Sequence, residues 1–407
     1  MKKLATIAAF STIALISLTF AATPEPTWKK LVLSKDFYCE GATYGDFNKD
    51  GKTDIASGPY WYEGPDFKTK HEIYAPKTID PHQYSENFLA FAYDFSNDGY
   101  PDLLVVGFPG KESWWFENPK GKDGQWTRHT VIDVTDNESP AFGDLTGDGK
   151  PELICMSKGQ FGYAEPDWQH PDKMWKWHAV SGKPDKRFFR FTHGLGFGDV
   201  NGDGKADLLE TKGWWEQPKE GAGAGDWKFH EYQFGAPTHG TSQMYAYDVN
   251  GDGLNDVVCA PEAHGYGLAW FEQVKNGGEI TFKKHLIMGE KPEQNKQGVV
   301  FSQLHAVDLV DIDGDGLKDI VTGKRWWAHG PKGDPGSDQP AVLYWFQLVR
   351  NSDKSVDFVA HKIDDDSGVG TQVTAADVNG DGKADVIVGN KKGTFVFLNQ
   401  SPVSTRR

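Results

Sequence analysis

Three cysteines in 407 residues are too few and too scattered for a disulfide framework. Cys155 and Cys259 fall on expected second strands and Cys39 just before a first strand, so all three read as buried free thiols. Helical periodicity is almost absent, which excludes a helical bundle. Basic residues are nowhere interleaved with aromatics in the way that nucleic-acid binding needs, so no nucleic-acid partner is expected. Only one long apolar run occurs, from Leu4 to Phe20, preceded by Lys2 and Lys3 and followed by Ala21 and Ala22. It reads as a secretory leader over residues 1–22, cut after Ala21 or Ala22, and not as a membrane span. No cysteine follows the cut, which argues against lipid attachment, and export to a periplasmic or extracellular space is expected.

What the chain has in abundance is acid and glycine: a net charge of −15, 47 glycines and 13% aromatics. The acid is not spread evenly. Seven copies of one nonapeptide carry 22 of the 58 acidic residues: DFNKDGKTD, DFSNDGYPD, DLTGDGKPE, DVNGDGKAD, DVNGDGLND, DIDGDGLKD and DVNGDGKAD, starting at Asp46, Asp94, Asp144, Asp199, Asp248, Asp311 and Asp377. Oxygen-bearing side chains at the first, third, fifth and ninth places, with glycine at the sixth, suit a hard cation such as Ca²⁺. The acidity is therefore read as ion binding and not as a docking surface. An EF-hand would need a glutamate at the twelfth place and flanking helices. Here each copy lies between two short apolar runs, so the loops join β-strands.

A second repeat follows the first. An aromatic precedes a histidine by three or four places at Phe67/His71, Trp126/His129, Trp175/His178, Trp227/His230, Phe282/His285 and Phe358/His361. The seventh acidic loop has no such strand after it; TWKKLVL, around Trp28, is expected to supply it. The reading is an all-β seven-bladed propeller of four-stranded blades over residues 23–400, closed by an N-terminal strand in the last blade, with a tail at 401–407. The six repeated histidines are expected to be structural.

The DxDxDG repeat resembles the FG-GAP or VCBS family of propellers, found also in integrin α-subunit heads. That resemblance implies up to seven structural calcium ions. The ligands it implies are Asp46, Asn48, Asp50 and Asp54; Asp94, Ser96, Asp98 and Asp102; Asp144, Thr146, Asp148 and Glu152; Asp199, Asn201, Asp203 and Asp207. In the remaining repeats they are Asp248, Asn250, Asp252 and Asp256; Asp311, Asp313, Asp315 and Asp319; Asp377, Asn379, Asp381 and Asp385. Ser96, Thr146 and Glu152 depart from the pattern, so the second and third sites should bind more weakly.

Function is sought in what does not repeat. Since the acidic loops join first to second strands, segments entering first strands and leaving second strands share the opposite face. Five unrepeated histidines gather there: His193, His239, His264, His305 and His329. Glu40 and Glu138 occupy matching places, and Lys324 and Arg325 add positive charge. His82 and His170 suggest no partner. Converging neutral imidazoles suit Zn²⁺ or another divalent transition metal, with His193, His239 and His305 the preferred ligands and His264 an alternative. Glu138, Arg325, His264 and His329 are the candidate catalytic residues. Aromatics at the strand exits (Tyr60, Trp61, Trp114, Trp115, Trp214, Trp215, Trp326, Trp327) offer faces for sugar rings, although packing explains any one of them equally well.

Three segments, THGLGFGDVNGDGKADLLETKGWWEQP, AHGYGLAWFEQ and FSQLHAVDLVDIDGDGLKDIVTGKRWWAHGP, resemble the propeller domain of the aldos-2-ulose dehydratase family. That resemblance implies a Zn²⁺-polarised keto-sugar and a glutamate that moves the proton, so a zinc-dependent carbon–oxygen lyase or dehydratase is expected. The chain lacks that family's cupin and lectin-like segments. The alternative is a non-catalytic module that binds glycan or protein at the same mouth. The insertion after His329 is expected either to cover the mouth or to hang free.

Overall fold

The computed structural model describes residues 26–401 except 187, 189, 226, 238 and 239. The expected leader at 1–22, His239 and the tail beyond 401 lie outside the described residues.

The apolar run after each acidic loop forms a second strand that is buried along its whole length, as in Asp102–Val106, Glu152–Ser157, Asp319–Gly323 and Asp385–Asn390. Burial on both faces explains why these runs do not alternate with polar residues. Each is flanked in its sheet by the preceding strand and the following one, all antiparallel. The result is an all-β propeller of four-stranded blades.

Five sheets are separate four-stranded blades. The repeats carrying Asp199 and Asp248 instead share one eight-stranded sheet, which corrects the expectation of seven separate blades. Their innermost strands, Leu195–Gly198 and Gln243–Tyr247, pair in parallel, with Gly196 opposite Met244. Glycine makes the fusion possible: a Cβ on Gly196 would lie 1.8 Å from the Met244 carbonyl oxygen.

The N-terminal strand Trp28–Ser34 pairs antiparallel with Gly393–Asn399, so the last blade takes its outer strand from the start of the described chain. This covers an edge that would otherwise present unpaired N–H and C=O groups. Every buried apolar cluster among the described residues is shared by two successive repeats, and one joins the Asp377 repeat to the Asp46 repeat through Val378, Ile387, Ala42 and Ile55. The core is thus a circle of interfaces between sheets.

Polar groups register those interfaces. Side-chain amides of Asn118, Gln217, Gln273 and Asn399 each donate to a carbonyl in the preceding acidic loop, at Phe47, Leu145, Val200 and Ile312. Arg350 does the same to Val249. The six repeated histidines are structural, as expected. Each stacks on the aromatic directly opposite in the third strand: His71 on Trp61, His129 on Trp115, His178 on Tyr163, His230 on Trp214, His285 on Trp270 and His361 on Trp345, at centroid distances of 4.1 to 4.6 Å. Five of them also meet a glutamate (Glu63, Glu117, Glu165, Glu216 or Glu272) at 2.6 to 2.9 Å. The last sheet lacks the pair and sets Leu31 against Val396. The three cysteines are free and buried, and burial pushes their thiols up.

Candidate metal centre

The acidic loops share one geometry. The first aspartate accepts the N–H of the sixth residue and, except at Asp248, that of the fifth, as Asp46 does from Asp50 and Gly51 and Asp94 from Asp98 and Gly99. The sixth glycine takes the left-handed conformation that this turn requires, with φ of 84° at Gly51 and 91° at Gly316. The ninth residue is different in kind. Asp54, Asp102, Asp207, Asp256, Asp319 and Asp385 are fully buried, and each carboxylate accepts two main-chain N–H groups, one from its own loop and one from the far end of the third strand. Burial pushes these carboxyls up, to about 6 at Asp54 and about 8 at Asp319. Glu152, in the departing third loop, instead takes the N–H groups of Leu145 and Thr146 and the Thr146 hydroxyl. The Ser96 hydroxyl points back to Asp94. Carboxylate oxygens of Asp311, Asp313 and Asp315, and of Asp144, Asp148 and Glu152, come within 4.8 Å of one another. All-oxygen donor sets of this kind fit a hard divalent cation.

The opposite face holds the unrepeated histidines. His193 immediately precedes the strand segment at Leu195–Gly198, His305 precedes Val307–Val310, and His264 lies between Asp256–Cys259 and Leu268–Asn276. One ring nitrogen from each of these three lies within 4.8 Å of the other two. The rings are 4.5 to 5.2 Å apart and nearly perpendicular. All three are buried. Each Nδ1 is already engaged: His193 with the Phe191 carbonyl at 2.9 Å, His305 with the Gln303 carbonyl at 3.5 Å, and His264 with Asp334 at 3.2 Å. Nε2 of His193 and of His305 are buried and make no hydrogen bond. Burial holds His305 well below the usual imidazole range and lowers His264. Three imidazoles converging in this way, each oriented through Nδ1 by a carbonyl or a carboxylate, form a donor set of the kind that fits a borderline divalent cation.

Beside them stands Glu138, with Oε2 3.5 Å from His193 Nε2 and 3.1 Å from Arg325 Nη1. The buried Arg325 guanidinium also takes Glu40 through Nε at 2.9 Å and through Nη2. Burial alone would push Glu138 up, but the charges of His193 and Arg325 hold it at about 2, so it is a carboxylate. Glu138, His193, His264 and Arg325, together with Tyr84, Phe88, Phe108, Phe191, Ala328 and His329, line a cavity of about 260 Å³.

His264, the alternative ligand, is the third described member of the cluster. His329 stacks on His264 at 4.6 Å, stays exposed, and bonds Asp334 at 2.9 Å. Asp334 escaped the sequence reading. It lies in the insertion, which folds down: Ser302 donates to Pro335, and buried Lys324 reaches Ser302 and Gly336. Only the GDPGSD turn composition hinted at an ordered segment. His82 pairs with Asp80 and leans on Trp327, and His170 pairs with Asp167. Of the expected sugar platforms, Trp61, Trp115 and Trp214 are consumed in the histidine stacks. Trp326 and Trp327 stack on each other at 4.1 Å and remain partly exposed.

Residues 94–155 and 248–322 match the FG-GAP-like repeat, and residues 369–400 match the FG-GAP repeat. No curated protein matches the chain. Among solved structures, BBS1N in complex with ARL6DN is similar at a TM-score of 0.51 and 8% identity, over 93% of this chain and 98% of that one. An Agrocybe aegerita lectin that recognises non-reducing terminal N-acetylglucosamine has a TM-score of 0.46 and 18% identity, over 93% and 87%. The rhamnogalacturonan lyase YesW has 0.45 and 14%, over 93% and 77%. The expected likeness to aldos-2-ulose dehydratase is not shown by these similarities. The chain carries FG-GAP repeats on a β-propeller of four-stranded blades.

Proposed function

We propose that the protein is an exported, metal-dependent carbon–oxygen lyase of the dehydratase type, acting on a keto-sugar or oligosaccharide. The observation that carries this reading is the convergence of His193, His264 and His305 beside the ionised Glu138. Those three imidazoles would hold Zn²⁺ or a similar divalent ion, which as a Lewis acid polarises a substrate keto group. Glu138, kept ionised by Arg325, accepts the proton from the carbon next to that keto group. As the C–H bond breaks, a C=C bond forms and the C–O bond one carbon further on breaks. His329, which lines the cavity and stays exposed, would give the departing oxygen its proton. The apolar wall of Tyr84, Phe88, Phe108 and Phe191 excludes water from the reacting carbon. The acidic loops would bind calcium and hold the blades in register, and residues 1–22 would direct export.

A non-catalytic glycan-binding module is the competing reading, favoured by the partly exposed Trp326–Trp327 pair. Metal analysis after dialysis against a weak calcium chelator separates the two. The enzyme reading expects one tightly held zinc per chain, absent from His305→Ala, and an ultraviolet-absorbing enone on incubation with a 2-keto-sugar. Calcium alone, with no difference between parent and variant, would sink it.

A further inference from the structure

The axis of the propeller contains a second, larger cavity of about 480 Å³, lined by the innermost strands of every repeat. It opens toward the acidic loops. Tyr44 is 40% exposed and Phe91, Phe142, Phe197 and Tyr245 are partly exposed, whereas Leu89, Leu195, Met244 and Val307, nearer the histidines, are buried. Two glutamines occupy the histidine side. Gln243 donates to the Thr371 carbonyl at 2.9 Å and accepts from the Val307 N–H, and Gln372 makes a paired bond with the Ala90 backbone at 2.9 Å.

The lining has an unusual balance. Five rings, from Tyr44, Phe91, Phe142, Phe197 and Tyr245, surround one charged group, the Asp308 carboxylate. The other polar side chains are mostly spent on the backbone: both glutamines as above, the Tyr245 hydroxyl on Val307 and the Thr374 hydroxyl on Ala42. A sugar would find few free donors or acceptors here. Asp308 accepts the Leu309 and Ala375 N–H groups, both at 2.8 Å, and burial pushes its carboxyl up, so a cation beside it relieves a real cost. Aromatic faces with a single carboxylate and no lining base select a cation with an apolar skin.

We propose that this axial chamber is a binding site for a small alkylated ammonium ion, independent of the histidine cluster. Calorimetric titration of the calcium-saturated full chain with choline and with its neutral carbon isostere, 3,3-dimethyl-1-butanol, tests it. Choline is expected to bind saturably, and the isostere about tenfold more weakly or not at all, since only the charge differs. Asp308→Asn and Phe197→Leu should each weaken choline about tenfold, while His305→Ala leaves it unchanged. Asp308 also holds two backbone groups, so Asp308→Asn is checked by thermal melting. Phe197→Leu removes a ring without removing a charge and tests the chamber by itself. Absence of saturable binding, equal affinity for the isostere, or loss of choline binding in His305→Ala would each overturn the assignment.

Discussion

Arg325 donates to Glu138 at 3.1 Å on one side and holds Glu40 on the other, joining three sheets across the mouth of the ring through one guanidinium. Both carboxylates and the guanidinium are buried or nearly so. Removing the cation leaves two uncompensated charges in a low dielectric. Arg325→Met should therefore lower unfolding free energy by about 3–5 kcal/mol, measured by urea denaturation. A variant as stable as the parent would show that the pair is solvated.

Asp334 acts through His264 and not on substrate. Asp334→Asn keeps the shape but turns an anionic acceptor for the His264 Nδ1–H into an amide. Transition-metal affinity should fall about 10–100-fold by competitive chelator titration. Calcium content should not change. If metal binding is untouched, the insertion is only a cover.

Trp214 separates packing from sugar recognition. It is 1% exposed and stacks on His230 at 4.1 Å. Trp214→Ala should cost about 3–5 kcal/mol of stability and leave metal content at the mouth intact. Unchanged stability with lost glycan binding would reverse the assignment.

The ninth acidic residues predict a pH dependence for the calcium-free protein. Burial, with repulsion from the loop aspartates, raises their carboxyls to between about 6 and about 8, above their unfolded values. A raised folded pKa contributes stability that is complete below the unfolded value, near pH 4, and is lost as pH rises through the folded one. In a calcium chelator, the melting temperature should fall between pH 6 and pH 8 by reason of these groups; added calcium should flatten that fall. A melting temperature that rises over this range without calcium would contradict the argument.

The strands, the turn at each loop and the role of the six repeated histidines were legible because each rests on local pattern. Short apolar runs, glycine at φ near 85° and a fixed aromatic–histidine spacing recur within short windows. The grouping of His193, His264 and His305 was legible in part, since topology dictates which face a segment serves. What could not be read was contact between distant segments. Arg325 meets Glu40 across 285 residues, and Asp334 reaches His264 from an insertion with no repeat to align it. The merging of two repeats into one sheet turns on a single glycine facing Met244, among 47 glycines in the chain. His264, the alternative ligand, reaches the cluster from a connection, which strand order alone does not rank.

Every sheet but one is made from neighbouring stretches of chain, and the exception ties Leu31 to Val396. During synthesis, Trp28–Ser34 cannot find its mate until Gly393–Asn399 has left the ribosome. Closure of the circle therefore depends on both ends of the described chain at once, and removing Gly393–Asn399 would strip Trp28–Ser34 of its partner and bare one edge of Asp385–Asn390.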